Sequence, residues 1–153
     1  MIDTPHIAQS PEQLTAVIHI TVPRAEIQTA MDPAIGELLA VVAAQGIGPA
    51  GPLYSYHRKT PTEIFDFELG VPITAAVAPT GRVYASTLPA ATVARTIYHG
   101  PYEGLGAAWG EFCAWIAANG HAPAPGLWER YLAGPESSPD SAHWRTELNR
   151  PLV

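Results

Sequence analysis

From Leu14 to Val22 the chain reads LTAVIHITV, β-branched and alternating, which predicts a strand. Between Arg24 and Gln45 the apolar residues Ile27, Met31, Ile35, Leu38, Leu39 and Val42 recur at helical spacing, giving a helix with one covered face. Gly46 supplies its stop. Asp32-Pro33 inside this pattern reads either as a cap followed by a first-turn proline or as a kink. Strands follow at 53–59, 62–73, 82–88 and 92–99. The stretch GPYEGLGAAWGEFCAWIAANG, 100–120, is a second helix. Gly100 caps it, Pro101 suits its first position, and Glu103 lies at the positive end of its dipole. Its covered stripe is Leu105, Trp109, Phe112 and Ile116, and Gly120 closes it. GLWERYLAG (126–134) and HWRTELNRPL (143–152) are the last strands, separated by a polar loop. Residues 1–13, with Pro5 and Pro11, read as a flexible tail.

The order of elements repeats. AAQGIGPAGPLY (43–54) and AANGHAPAPGLW (117–128) align without gaps at an offset of 74, with six of twelve positions identical. ELGVP (68–72) matches ELNRP (147–151) at an offset of 79. Each match follows the same predicted helix. The reading is therefore an α+β fold of two βαββ pseudo-repeats, about 14–80 and 81–153, related by a pseudo-two-fold axis. They share one antiparallel sheet with two main helices against it, in a single ligand-binding domain spanning 14–153.

Composition narrows the function. Hydrophobic residues make up 47% of the 153 and charged residues only 14%, which marks a globular chain. The net charge is −6 and there is no basic run, so direct nucleic-acid binding is not expected. Cys113 is the one cysteine, so no internal disulfide forms and a reducing, cytoplasmic setting fits. Its thiol, beside the apolar stripe, reads as buried and inert. No secretion signal opens the chain, and the longest apolar run, IGELLAVVAA, falls short of a membrane span. Six histidines fall in no metal-binding spacing, and the glycines of 100–110 lack the Lys-Ser/Thr of a phosphate loop. No metal site and no cofactor are expected.

The sharpest question is Glu129, a carboxylate in the middle of an apolar strand. Leu127, Glu129 and Tyr131 share one strand face. On one reading that face is the solvent side and Trp128 is core. On the other it looks into the space beneath the helices. A carboxylate there is protonated, hydrogen-bonded to a tyrosine, or waiting for a cation. Aromatic neighbours would then hold a flat organic cation by stacking and cation–π attraction, about 0.5–2 kcal/mol each.

The residues YHGPYEGL (98–105), WERYLAGP (128–135) and RTELNRPL (145–152), in this order, resemble the GyrI-like family. Its members include the effector-binding domains of multidrug-responsive bacterial transcription activators and free-standing relatives. The resemblance runs from about Leu14 to the end. It implies a promiscuous pocket for lipophilic, often cationic aromatic molecules around a central glutamate, here Glu129 with Tyr131. By the same carry-over Glu147 joins the pocket, Tyr102 either lines it or packs, and Trp109 and Tyr98 serve the core with a ligand-facing edge. Glu68, the repeat mate of Glu147, is structural or exposed. Asn149 stands where many members carry an aromatic residue, which leaves one pocket wall open. With no DNA-reading module before the first strand, the chain by itself is expected to sense or sequester a ligand. The alternative is a hydrolase opening cyclopropane-containing genotoxic natural products, with Glu129 as base and Tyr131 or Tyr102 as acid. The family name also raises gyrase or a separate regulator as a protein partner.

Overall fold

The computed structural model describes residues 2–59, 62–134 and 137–153. In chain order the elements are β1 (His6–Ser10), β2 (Gln13–Pro23), α1 (Ile27–Ala44), β3 (Tyr54–His57), β4 (Ile64–Pro72), β5 (Tyr84–Leu88), β6 (Ala91–His99), α2 (Leu105–Ala118), β7 (Leu127–Ala133) and β8 (Arg145–Pro151). All eight strands form one antiparallel sheet in the order β1-β6-β8-β7-β3-β4-β2-β5. The α+β class and the doubled βαββ plan are therefore present. The pseudo-two-fold passes between β3 and β7 at the sheet centre, where Ser55 lies directly opposite Glu129. At the offset of 74 these two residues are also repeat mates, so the axis runs through this pair.

The lead-in differs from the tail expected of it. His6–Ser10 pair with β6, and β5 pairs with β2, so each half's leading strand completes the sheet of the other half. Only Pro11-Glu12 joins β1 to β2, and only Pro89-Ala90 joins β5 to β6. Two connectors this short force the edges of the sheet towards each other, and the sheet curls. Its back face closes on a core of Val17, Tyr54, Leu88, Val93 and Trp128.

The front face carries the helices. Leu38 and Val42 of α1 pack on Ile18, Leu69 and Val71, while Phe112 and Ile116 of α2 pack on Ala94, Tyr98 and Leu148. Helix α1 continues through Pro33, which is exposed, as is Thr29, the residue whose carbonyl loses its donor. The helical stretch Arg24–Ala44 is long and apolar enough to cross a bilayer by length and composition, beyond what the run IGELLAVVAA suggests. Here Ala34, Leu38 and Val42 bury one side of it against the sheet.

Tyr98 sets where α2 begins. Its hydroxyl donates to the Pro101 carbonyl at 2.8 Å, and its ring end fills the space where a Cβ on Gly104 would stand. Chain entry to α2 is thus a 3-10 turn, Tyr102–Gly104, with no side-chain cap. A Gly104→Ala substitution overpacks this post and is expected to cost about 1–3 kcal/mol, read as a lower urea midpoint; an unchanged midpoint would contradict the contact.

Candidate functional site

Each helix buries one stripe on the sheet, and a second stripe faces its partner helix across the centre. From α1 these residues are Ile27, Met31, Ile35 and Leu39; from α2 they are Leu105, Trp109 and Cys113. Between them, over β3 and β7, lies a cleft of about 1440 Å³. Leu105 and Trp109, expected in the covered stripe, are only partly buried for this reason, and Ala108 takes their place in the core. Cys113 is exposed at the cleft wall, not buried as its neighbours suggest.

The floor is made by alternate residues of the two central strands. His57 faces Leu127, Ser55 faces Glu129, and Tyr131 donates its backbone N–H to the Leu53 carbonyl at 2.9 Å. Glu129 sits in the middle. Trp109 Nε1 donates to its Oε2 at 2.6 Å, and the Tyr131 hydroxyl donates to its Oε1 at 3.0 Å. Ser55 Oγ lies 2.8 Å from the same hydroxyl and extends the chain across the axis. Burial pushes the Glu129 carboxyl above its ordinary value, and the Trp109, Tyr131 and Ser55 contacts pull against that rise. Burial and the neighbouring carboxylate push the Tyr131 phenol well above the ordinary tyrosine value, which keeps it a hydrogen-bond donor.

Both readings of the GLWERYLAG strand meet here. Trp128 is fully buried in the back core, and Glu129 faces the cleft, because the curled sheet covers β7 on both sides.

Of the residues singled out in the sequence, the fold brings Glu129, Tyr131, Tyr102 and Trp109 together at the cleft. The Tyr102 ring meets Tyr131 edge-on with centroids 6.0 Å apart and lies 5.2 Å from the Trp144 ring. Glu147 and Tyr98 are placed elsewhere. Glu129 is in register with Leu148, so Glu147, one position along, projects to the back face. There it lies 3.5 Å from Arg95 and 3.8 Å from Arg130, and accepts from Asn149 at 3.0 Å. Asn149 is buried in the same cluster and so walls no part of the cleft. Tyr98 is the post beneath α2. Glu68 is the back-face counterpart of Glu147, held by Tyr84 at 3.1 Å and Arg58 at 3.5 Å. Pro135, the last residue of the WERYLAGP motif, lies outside the described residues.

Sequence reasoning passed over Ser55, His57 and Trp144. A signal for two of them was available, since Ser55 and His57 are the repeat mates of Glu129 and Tyr131 at the offset of 74. His57 is 5% exposed; its ring stacks on Phe67 at 5.0 Å and meets Phe65 edge-on at 5.8 Å. Its Nδ1 is buried without a hydrogen-bond partner, and burial lowers its pKa to about 4. The imidazole is neutral at pH 7. A smaller hollow of about 420 Å³ lies beside β4, lined by the pairs Arg58–Glu68 and His19–Asp66 and by Lys59. Among the described residues no cluster of three metal-binding side chains occurs.

A family model described as "GyrI-like small molecule binding domain" matches residues 3–152. No curated protein matches the sequence. Among solved structures, the chain is similar to the EcmrR C-terminal domain at 22% identity and TM-score 0.86, covering 98% of this chain and 97% of that one. It is equally similar in sequence to EcmrR in its complex with DNA, at TM-score 0.84 and 97% coverage, but spans only 57% of that longer chain. SAV2435 bound to tetraphenylphosphonium matches at 12% identity and TM-score 0.73, covering 99% and 94%. At these identities the structural likenesses establish a shared fold.

Proposed function

The chain belongs to the GyrI-like small-molecule-binding family, and from that premise we propose that its cleft takes lipophilic, cationic aromatic molecules against Glu129. The observation that carries this reading is a carboxylate at the bottom of an aromatic cleft, bonded to Trp109 and Tyr131 but to no cationic side chain among the described residues. An unpaired carboxylate in a poorly solvated place gains most from a counter-ion that brings little hydration of its own. A delocalised organic cation is such a counter-ion. Trp109, Tyr102, Tyr131 and Trp144 supply ring faces and edges for it, and stacking tolerates many outlines. The aliphatic wall from α1 accepts apolar substituents. A sensor or sequestering protein needs this breadth, and the tetraphenylphosphonium bound by SAV2435 is a ligand of the class.

Fluorescence anisotropy of rhodamine 123, a planar ester cation, tests the proposal. Saturable one-to-one binding in the micromolar range is expected, with competition by tetraphenylphosphonium. Absence of binding at several hundred micromolar protein would remove the reading.

A further inference from the structure

The fold is two-fold symmetric about Ser55 and Glu129, but the charges along the cleft are not. At the Tyr131 end stand Tyr102, Trp144 and the carboxylate of Glu103. At the His57 end stand two guanidinium groups. Arg24 lies over the Phe65 ring at 5.6 Å, and Phe65 meets His57 edge-on. Arg150 follows from the register: Trp128 pairs with Asn149, so Arg150 lies beside Leu127, which faces His57. Arg150 is half-buried, and its Nε donates to the Ala124 carbonyl at 3.3 Å. Neither arginine has a carboxylate within ion-pair distance among the described residues. The remaining acid on the cleft, Asp32, is two helical turns from Arg24, a rise of about 12 Å.

We propose that the cleft is built for a dipolar aromatic ligand, whose delocalised cation lies against Glu129 and whose carboxylate or other anionic group reaches Arg150 and Arg24 at the His57 end. This rests on the cation reading of Glu129 and narrows it to a class. A partly buried arginine with no carboxylate partner is itself a desolvation cost, which a ligand anion relieves by charge-assisted hydrogen bonds. A purely cationic ligand leaves these groups unmet and places its far end near two positive charges. The symmetric fold thus offers two similar half-sites, and the substitutions at their ends make them electrically opposite.

Rhodamine 110 and rhodamine 123 differ only in that the second is the methyl ester of the first, so the pair isolates the carboxylate. Wild-type protein is expected to bind the free acid about tenfold more tightly than the ester, the yield of one charge-assisted contact. Arg150→Gln is expected to abolish that preference while leaving ester affinity within about twofold or raising it. Arg24→Gln, at the exposed rim, should reduce the preference less, and its share should fade at high salt. Ester binding equal to or tighter than acid binding in wild type, or a preference untouched by both substitutions, overturns the dipolar assignment and leaves the cation reading standing. Binding of neither dye overturns both.

Discussion

Replacing Glu129 with glutamine is expected to weaken binding of a rhodamine cation by about 10- to 100-fold, the loss of one interaction worth roughly 1.5–3 kcal/mol. The fold should survive, because the hydrogen bonds can be rearranged without a loss. The amide oxygen can still accept from Trp109 Nε1. The amide nitrogen can donate to the Tyr131 oxygen, and that hydroxyl can turn to donate to Ser55, 2.8 Å away. Anisotropy titration gives the affinity and thermal unfolding gives the control; equal affinity in the two proteins, with both folded, would contradict the role given to Glu129. The same group sets the pH dependence. Burial raises the Glu129 pKa, so binding of a permanent cation should weaken as pH falls through that raised value, and the glutamine variant should lack this limb. Stability moves the opposite way. A carboxyl whose folded pKa is raised favours the folded state below the ordinary carboxylate value, and this contribution is lost as pH rises through the raised one.

Acid should unfold wild-type protein sooner than a His57→Phe variant, and this is the largest stability effect expected. His57 has an ordinary pKa of 6.5 and about 4 in the folded protein. Between those values the unfolded chain takes up a proton that the folded chain refuses, so stability falls as pH drops across the interval. At its limit the loss is about 3 kcal/mol. The cause is desolvation: the ring lies between Phe65 and Phe67, and its Nδ1 has no partner to hold a charge. Phenylalanine keeps the stacked ring and cannot titrate. Between pH 7.5 and 4.5 the urea midpoint should therefore fall further for wild type than for the variant. Since Glu129 acts in the other direction over part of the same range, the comparison between the two proteins isolates His57. Parallel profiles would show that His57 titrates alike in the folded and unfolded chain, and would contradict its desolvation.

Much of this was legible before any coordinates. Period-two and helical patterns placed nine of the elements, because each element must cover one face and that demand is written locally. The duplicated segments gave the pseudo-symmetry. The strand β1 was not legible: HIAQS carries little pattern, and it is a strand because β6 offers an unpaired edge. Glu129, Tyr131, Tyr102 and Trp109 were singled out in the sequence, and the fold brings them to one cleft. Glu147 was misplaced because strand parity depends on register, and one step between neighbouring strands sends a side chain to the opposite face. Cys113 was misjudged because a helix between a sheet and a cleft has two apolar stripes, and sequence does not say which one remains open.

What the sequence alone determined is every element but β1, their duplication, and a carboxylate flanked by aromatic residues in an apolar strand. Those follow from local spacing. Tertiary structure decided the rest: that both sides of β7 are covered, that Trp109 reaches Glu129 across 20 residues of chain, and that Arg24, His57 and Arg150 gather at one end. The physical reason is that burial, desolvation and charge pairing depend on which surfaces meet. In this chain the curl of the sheet and the register of β3, β7 and β8 set those meetings.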